Sequence, residues 1–234
     1  MTNKYLDLLA YFGIGGAHPG GFPLTQALLG DVSLQPTDHV LELGCGTGQT
    51  AEFISKKFHC EVVGLDNHPI MVEEAKGRLV GSAYPVQVML GNAEKLPFAD
   101  ESFDFILAES VLSFTNIPVT IQEAARVLKP GGRLLIIEMT AEQPPTEELQ
   151  KETSKLYGIT KLLVESEWEN YLQQAGLTLL PIKKSTDMEP TDLEDIRPSD
   201  NLDLSLYDVW DEHNDFLARN GNLVGYRIFF SKKH

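Results

Sequence analysis

Val40-Leu41-Glu42-Leu43-Gly44-Cys45-Gly46-Thr47-Gly48 decides the fold. Residues 38–44 are mostly apolar and end at a glycine, the pattern of a buried strand. Glycines at alternate positions let the backbone turn sharply and approach a ligand without a Cβ in the way. Residues 47–58 then read as a helix, whose N-terminus offers free N–H groups and the positive end of its dipole. A glycine turn between a buried strand and a helix places a ligand at the carboxyl end of a strand in an open α/β sheet.

The alternation continues outward from this turn. Strands are expected at 60–66, 85–90, 102–110 and 133–139, and helices at 70–80 and 119–128. Pro69 is acceptable in the first turn of its helix. Lys129-Pro130-Gly131-Gly132 stops the helix before it. Strands alternating with helices give a mostly parallel sheet covered on both faces, and right-handed crossovers make it doubly wound. The flanks differ. Residues 4–12 read as an amphipathic helix, and the loop 13–25, rich in glycine and proline, as a flap. Helices are expected at 146–157 and 204–219. Ser166 and Glu169 read as a capping box that opens a helix to about Ala175. Strands at 177–183 and 222–233 complete the pattern, with an antiparallel edge pair.

Asp66 ends the second strand, where a carboxylate can accept both hydroxyls of a ribose. The pair of signals points to a nucleoside-bearing cofactor. A dinucleotide fingerprint would need glycine at position 49, and the residue is Gln49. The Glu42 carboxylate would repel a pyrophosphate but suits an ammonium group. S-adenosylmethionine carries one, and is therefore favoured over NAD.

The chain has 234 residues, 42% of them hydrophobic, a formal net charge of −15 and two cysteines. That length buries a sizeable core. Two cysteines cannot build a disulfide framework, which points to a reducing compartment and a cytoplasmic protein. No run of about 20 apolar residues suggests a membrane span, and the N-terminal stretch is a poor signal peptide. The acidic balance disfavours nucleic acid and anionic lipid. The excess is concentrated. Between Asp187 and Asp215 there are 11 acids and one base, Arg197. This stretch reads as a solvated face or as an acidic wall on a substrate pocket.

ELGCGTG, then Asp66, GNAEKLPFADESFDFILAE and RVLKPGGRLLIIE resemble the class I S-adenosylmethionine-dependent methyltransferases, in particular the small-molecule subgroup typified by ubiquinone- and menaquinone-biosynthesis enzymes. The resemblance covers about residues 38–140 and is weaker through 165–183 and 222–231. It implies a Rossmann-like methyltransferase fold with a seven-stranded, mostly parallel sheet and one antiparallel edge strand. It places Glu42, Gly44, Cys45, Gly46 and Gly48 around the methionine and ribose portions. Asp66 and Asn67 fall at the ribose, Met71, Asn92 and Ala93 near adenine, and Glu109 and Ser110 at the methyl-transfer site. Asn92 stands where the family usually has aspartate, and its amide oxygen can still accept a hydrogen bond.

The chain divides into an N-terminal helix and flap (1–37), a cofactor-binding core (38–140) and a C-terminal part (141–234) with an acidic insertion at 184–221. The expected activity is methyl transfer to a small molecule, giving S-adenosylhomocysteine. The acidic insertion favours a cationic or amine acceptor. A protein methyltransferase and a non-catalytic S-adenosylmethionine-binding regulatory module are the alternatives. Ala108-Glu109-Ser110-Val111 lacks the Asn/Asp-Pro-Pro-aromatic signature of many nucleic-acid-base methyltransferases, so no nucleic-acid substrate is expected.

Glu109, His18 and His213 are the catalytic candidates. Glu109 ends a strand, His18 sits in the flap, and His213 shares a helix face with Tyr207 and Trp210. His68 reads as a helix-start residue, and Tyr11 as either a helix-face residue or a cover for the donor methyl. Cys45 reads as a small turn residue and Cys60 as core. No Cys/His cluster has metal-ligand spacing, so no metal is expected.

Overall fold

The computed structural model describes residues 3–82, 86–184 and 203–234. The glycine turn sits where the sequence places it. β1 (His39–Leu43) leads into α3 (Gln49–Phe58), β2 (Glu61–Asp66), α4 (Pro69–Leu79), β3 (Val86–Leu90) and β4 (Phe103–Glu109). α5 (Ile117–Val127) and β5 (Leu128–Ala141) follow. The sheet runs β3-β2-β1-β4-β5 in parallel, so the strand order reverses between β1 and β4. Both Glu42 and Asp66 therefore reach the carboxyl edge of the sheet beside that switch point.

The far side of the sheet is antiparallel. β8 (Val224–Lys233) pairs with β5 over nine residues, from Arg133↔Lys232 to Ala141↔Val224. β6 (Leu177–Leu179) and β7 (Lys183–Lys184) both pair antiparallel with β8. Among the described residues the sheet has eight strands, where seven were expected. The run 177–183 divides around Pro181, which has no N–H to give a ladder.

Helices cover both faces. Leu24, Leu28, Ala51 and Ile54, on helices near the N-terminus, pack against one face. Ile121, Ala124, Trp168 and Leu172 pack against the other. A third cluster joins α1 (Lys4–Tyr11), α6 (Glu147–Tyr157) and α8 (Leu206–Asn220) through Leu8, Phe12, Leu156, Tyr157 and Phe216. Asn3 ties this cluster down. Its side-chain oxygen caps α1 by accepting from the N–H of Tyr5 and Leu6, and its amide donates to the Tyr157 carbonyl at 2.8 Å.

Two further expectations are corrected. The flap read over 13–25 ends in a helix, α2 (Gly21–Gly30), that the composition hides. Pro23 lies in its first turn, where no intrahelical donor is needed, and Leu24, Leu28 and Leu29 bury one side. The capping box lies two residues earlier than expected. Val164 is the N-cap of α7 (Glu165–Gln174), and its N–H donates to Glu167, so the reaching carboxylate is Glu167 and not Glu169. Residues 185–202, nearly half of the acidic insertion, lie outside the described residues. No helix among the described residues is long and apolar enough to cross a membrane.

Candidate methyl-donor and acceptor cavities

Gly44, Gly46 and Gly48 take φ of +65°, +51° and +75°, a region that strains any residue with a Cβ. They serve different ends. A Cβ on Gly44 would lie 2.3 Å from a Val111 methyl, so glycine there lets the strand ends close up. A Cβ on Gly48 would lie 3.1 Å from that of Ala75, so this glycine allows α3 and α4 to approach. Gly48 is not among the residues lining the adjoining cavity.

That cavity lies over the carboxyl ends of β1, β2 and β4. Glu42, Gly44, Cys45 and Gly46 line it from β1 and its turn; Asp66 and Asn67 come from the end of β2. Met71 comes from α4, Asn92 and Ala93 from the segment after β3, and Glu109 from the end of β4. Asp66 is anchored on both oxygens: the Gly46 N–H donates to Oδ2 at 2.9 Å and the His68 N–H to Oδ1 at 2.8 Å. Burial raises its pKa, and these two bonds oppose the rise. Burial raises Glu42 well above the usual carboxylate range, with further contributions from the charges of Glu109 and Asp66. The Cys45 thiol is pushed up by burial and by the same Glu42 and Asp66 charges, the opposite of an activated nucleophile.

Four buried polar atoms lining the cavity have no partner among the described residues: Glu42 Oε2, Gln49 Oε1, His68 Nδ1 and Ser110 Oγ. Buried polar groups are nearly always satisfied, so a cluster of exceptions marks where a polar ligand belongs. An anionic wall, an anchored carboxylate at a strand end and orphaned acceptors fit a nucleoside bearing an ammonium group.

Glu109 is held from above. The Thr25 hydroxyl, on α2, donates to Oε1 at 2.5 Å, and the Thr50 hydroxyl donates to Oε2 at 3.0 Å. His18 Nε2 lies 2.9 Å from Thr25 Oγ and 3.4 Å from Glu109 Oε1, while its Nδ1 faces the Pro19 carbonyl at 3.1 Å. A carbonyl only accepts, so Nδ1 carries a hydrogen. Thr25 bridges His18 and Glu109 and gives its hydroxyl hydrogen to the carboxylate.

A second cavity, about 650 Å³, adjoins the first, and Leu9, Ile14, Ala17, His18, Ser110 and Phe114 line both. Its other walls come from α1, α6 and α8, including Tyr5, Tyr157, Trp210 and His213. His213 Nδ1 is 3.0 Å from the Tyr157 hydroxyl, and burial lowers its pKa. Ser110, at the junction, takes φ of +55°, rare for a residue other than glycine. Below it Glu138 is fully buried. Val111 and Leu112 donate backbone N–H groups to Oε1 at 2.9 and 2.7 Å, and Ser113 donates its hydroxyl to Oε2 at 2.6 Å.

Sequence reasoning thus finds the first cavity and one wall of the second. It misses Thr25, Thr50 and Glu138. Glu138 was legible by the argument that singled out Glu109: it is a lone acid near the end of an apolar strand. Tyr11 packs on the helical cluster of the cap. His68 starts α4, and its Nε2 lies 3.3 Å from Asp7 Oδ1. Cys60 is core, its thiol pushed up to about 11 mainly by burial. Among the described residues no group of His, Cys, Asp and Glu could hold a metal ion.

The sheet order, the glycine turn and the carboxylates at the ends of β1 and β2 define a class I methyltransferase, and residues 41–136 match the family model described as a methyltransferase domain. A Bacillus subtilis protein named as an uncharacterized methyltransferase, YodH, is 36% identical over 99% of this chain and 100% of its own. The chain belongs to the S-adenosylmethionine-dependent methyltransferases. Among solved structures, the [4+2]-cyclase SpnF superposes with a TM-score of 0.79 at 21% identity, covering 97% of this chain and 92% of its own. Phosphoethanolamine N-methyltransferase 2 of Haemonchus contortus, in complex with phosphomonomethylethanolamine and S-adenosylhomocysteine, superposes at 0.77 and 18% identity, over 97% of this chain and 57% of its own.

Proposed function

We propose that the chain transfers a methyl group from S-adenosylmethionine, held in the first cavity, to a small molecule held in the second. The observation that carries this reading is the shared wall: two cavities, one lined by carboxylates and one by apolar and aromatic groups, meet at Ser110 and His18. The structure of the Haemonchus enzyme with a small acceptor supports it by fold. The bound donor supplies an already activated methyl group. The chain's part is to align the two molecules and keep water out, worth about 7–11 kcal/mol when alignment is good.

In this reading Glu42 holds the donor's ammonium, Asp66 and Asn67 its ribose, and Met71, Asn92 and Ala93 its adenine. Gly44, Cys45 and Gly46 shape the turn beneath it. Glu109, held by Thr25 and Thr50, fixes α2 and α3 over the cavity and keeps His18 at the shared wall. His213 lies across the acceptor cavity.

Incubation with methyl-labelled S-adenosylmethionine and a cell lysate, followed by separation of small molecules from protein, tests the reading. Label is expected in the small-molecule fraction. Label in protein, or donor binding without turnover of any lysate fraction, overturns it.

Glu42→Gln gives a sharper check on the donor's orientation. It is expected to weaken S-adenosylhomocysteine by about tenfold to a hundredfold, the worth of one charge-assisted bond. 5′-Methylthioadenosine, which keeps the nucleoside but lacks the amino-acid part, should bind both proteins alike. Since Glu42 must ionise to meet an ammonium and its pKa is raised, wild-type affinity should increase with pH. The variant should lose that component. Isothermal titration at several pH values measures both.

A further inference from the structure

The second cavity has a chemistry of its own. Tyr5, Phe114, Tyr157, Trp210 and His213 surround it, with Leu8, Leu9, Ile14 and Met139 between them. Among the described residues that line it there is no lysine or arginine. Residues 83–85 and 185–202, outside the described set, contain a single cation, Arg197. The one carboxylate among the described lining residues, Glu138, has three donors of its own.

We infer that this cavity takes an uncharged, mainly apolar, ring-bearing acceptor and discriminates against phosphorylated and ammonium-bearing ones, an inference that rests on the methyl-transfer reading above. A phosphate carried into it would lose its water and meet no cation among the described residues, and both are costly. An ammonium fares little better. Glu138 is already answered by two backbone N–H groups and Ser113, and burial pushes its pKa up to about 7, so it presents little free negative charge. The rings are not opened into a box around a cation. They pack on each other: Tyr5 meets Tyr157 edge-on at 4.8 Å and lies parallel to Phe114 at 6.3 Å, and Trp210 stacks with Phe12 at 5.8 Å.

The acids of α8 do not change this balance. Asp208, Asp211, Glu212 and Asp215 are exposed, and the face that α8 turns to the cavity is Trp210, His213, Asn214 and Leu217. Leu217 is 42% exposed and lines the cavity, an apolar side chain left open where an apolar ligand enters. The polar handle inside is neutral. Burial lowers the His213 pKa and so disfavours its charged form, and His213 with the Tyr157 hydroxyl can exchange a hydrogen bond with a hydroxyl or carbonyl group.

Three probes with one ring body and different charges test the inference. With the protein saturated by S-adenosylhomocysteine, 1-naphthol, 1-naphthyl phosphate and 1-naphthylmethylammonium are titrated by naphthalene fluorescence. 1-Naphthol is expected to bind at least about tenfold more tightly than either charged probe. Leu217→Glu, at an exposed position, is expected to weaken 1-naphthol severalfold and leave S-adenosylhomocysteine unchanged. If a charged probe binds as well as 1-naphthol, if 1-naphthol does not bind, or if Leu217→Glu leaves its affinity unaltered, the inference is overturned while the methyl-transfer reading stands. If S-adenosylhomocysteine itself does not bind, both are overturned.

Discussion

Asp66→Ala is expected to lower the affinity for S-adenosylhomocysteine by about a hundredfold or more. Two bonds from ribose hydroxyls to a carboxylate contribute about 1.5–3 kcal/mol each. The substitution also removes the acceptor of the Gly46 and His68 N–H groups, so the turn that shapes the cavity loosens. Asp66→Asn separates the two effects. It keeps one carbonyl oxygen for the turn and loses the second acceptor, and so should fall between wild type and alanine. Titration calorimetry gives the affinities and thermal unfolding reports the turn. Near-wild-type binding by the alanine variant would remove Asp66 from the donor site.

Glu138→Ala should be the most destabilising single change at the site, by about 3 kcal/mol, because it leaves two backbone N–H groups and the Ser113 hydroxyl without their acceptor. The 3-10 turn Leu112–Phe114 hangs from those bonds and carries part of both cavity walls. Glu138→Gln keeps the shape and removes the titration. In the folded protein burial raises the Glu138 pKa from 4.5 to about 7. The folded state therefore holds a proton that the unfolded chain has released, and stability falls as pH rises through that window. The full effect is about 3 kcal/mol. Urea unfolding at pH 5 and pH 7.5 should show wild type losing about 2 kcal/mol, most of that effect, relative to Glu138→Gln. Glu42 and Asp66, also raised, act alike in both proteins and cancel in the comparison. Parallel stabilities across the window would show that Glu138 is ionised throughout.

The parts of the site that the sequence made legible are those built from short stretches. β1, its glycine turn and Asp66 at the end of β2 follow from local patterning, because a parallel strand is an apolar run and its carboxyl end is where the run stops. Gly48 looked like its neighbours, but its partner is Ala75 on another helix, which no spacing reveals. α2 was hidden by Gly20, Gly21 and Pro23, residues read as loop that here only start a helix. The second cavity was the least legible. Tyr5, Tyr157 and His213 meet across the whole chain, and only the packing of α1 against α6 and α8 brings them together. A helix face announces that it is buried, not whether it is buried against protein or against a ligand.

Glu42, Asp66 and Glu109 face one space, and the charges of the last two reach Glu42 strongly enough to raise it further. Such a field distinguishes ligands by charge before it distinguishes them by shape. S-adenosylmethionine carries a net positive charge that S-adenosylhomocysteine, once its sulfur is neutral, does not. In the methyl-transfer reading proposed above, a field of this sign favours the charged donor over the product with its neutral sulfur.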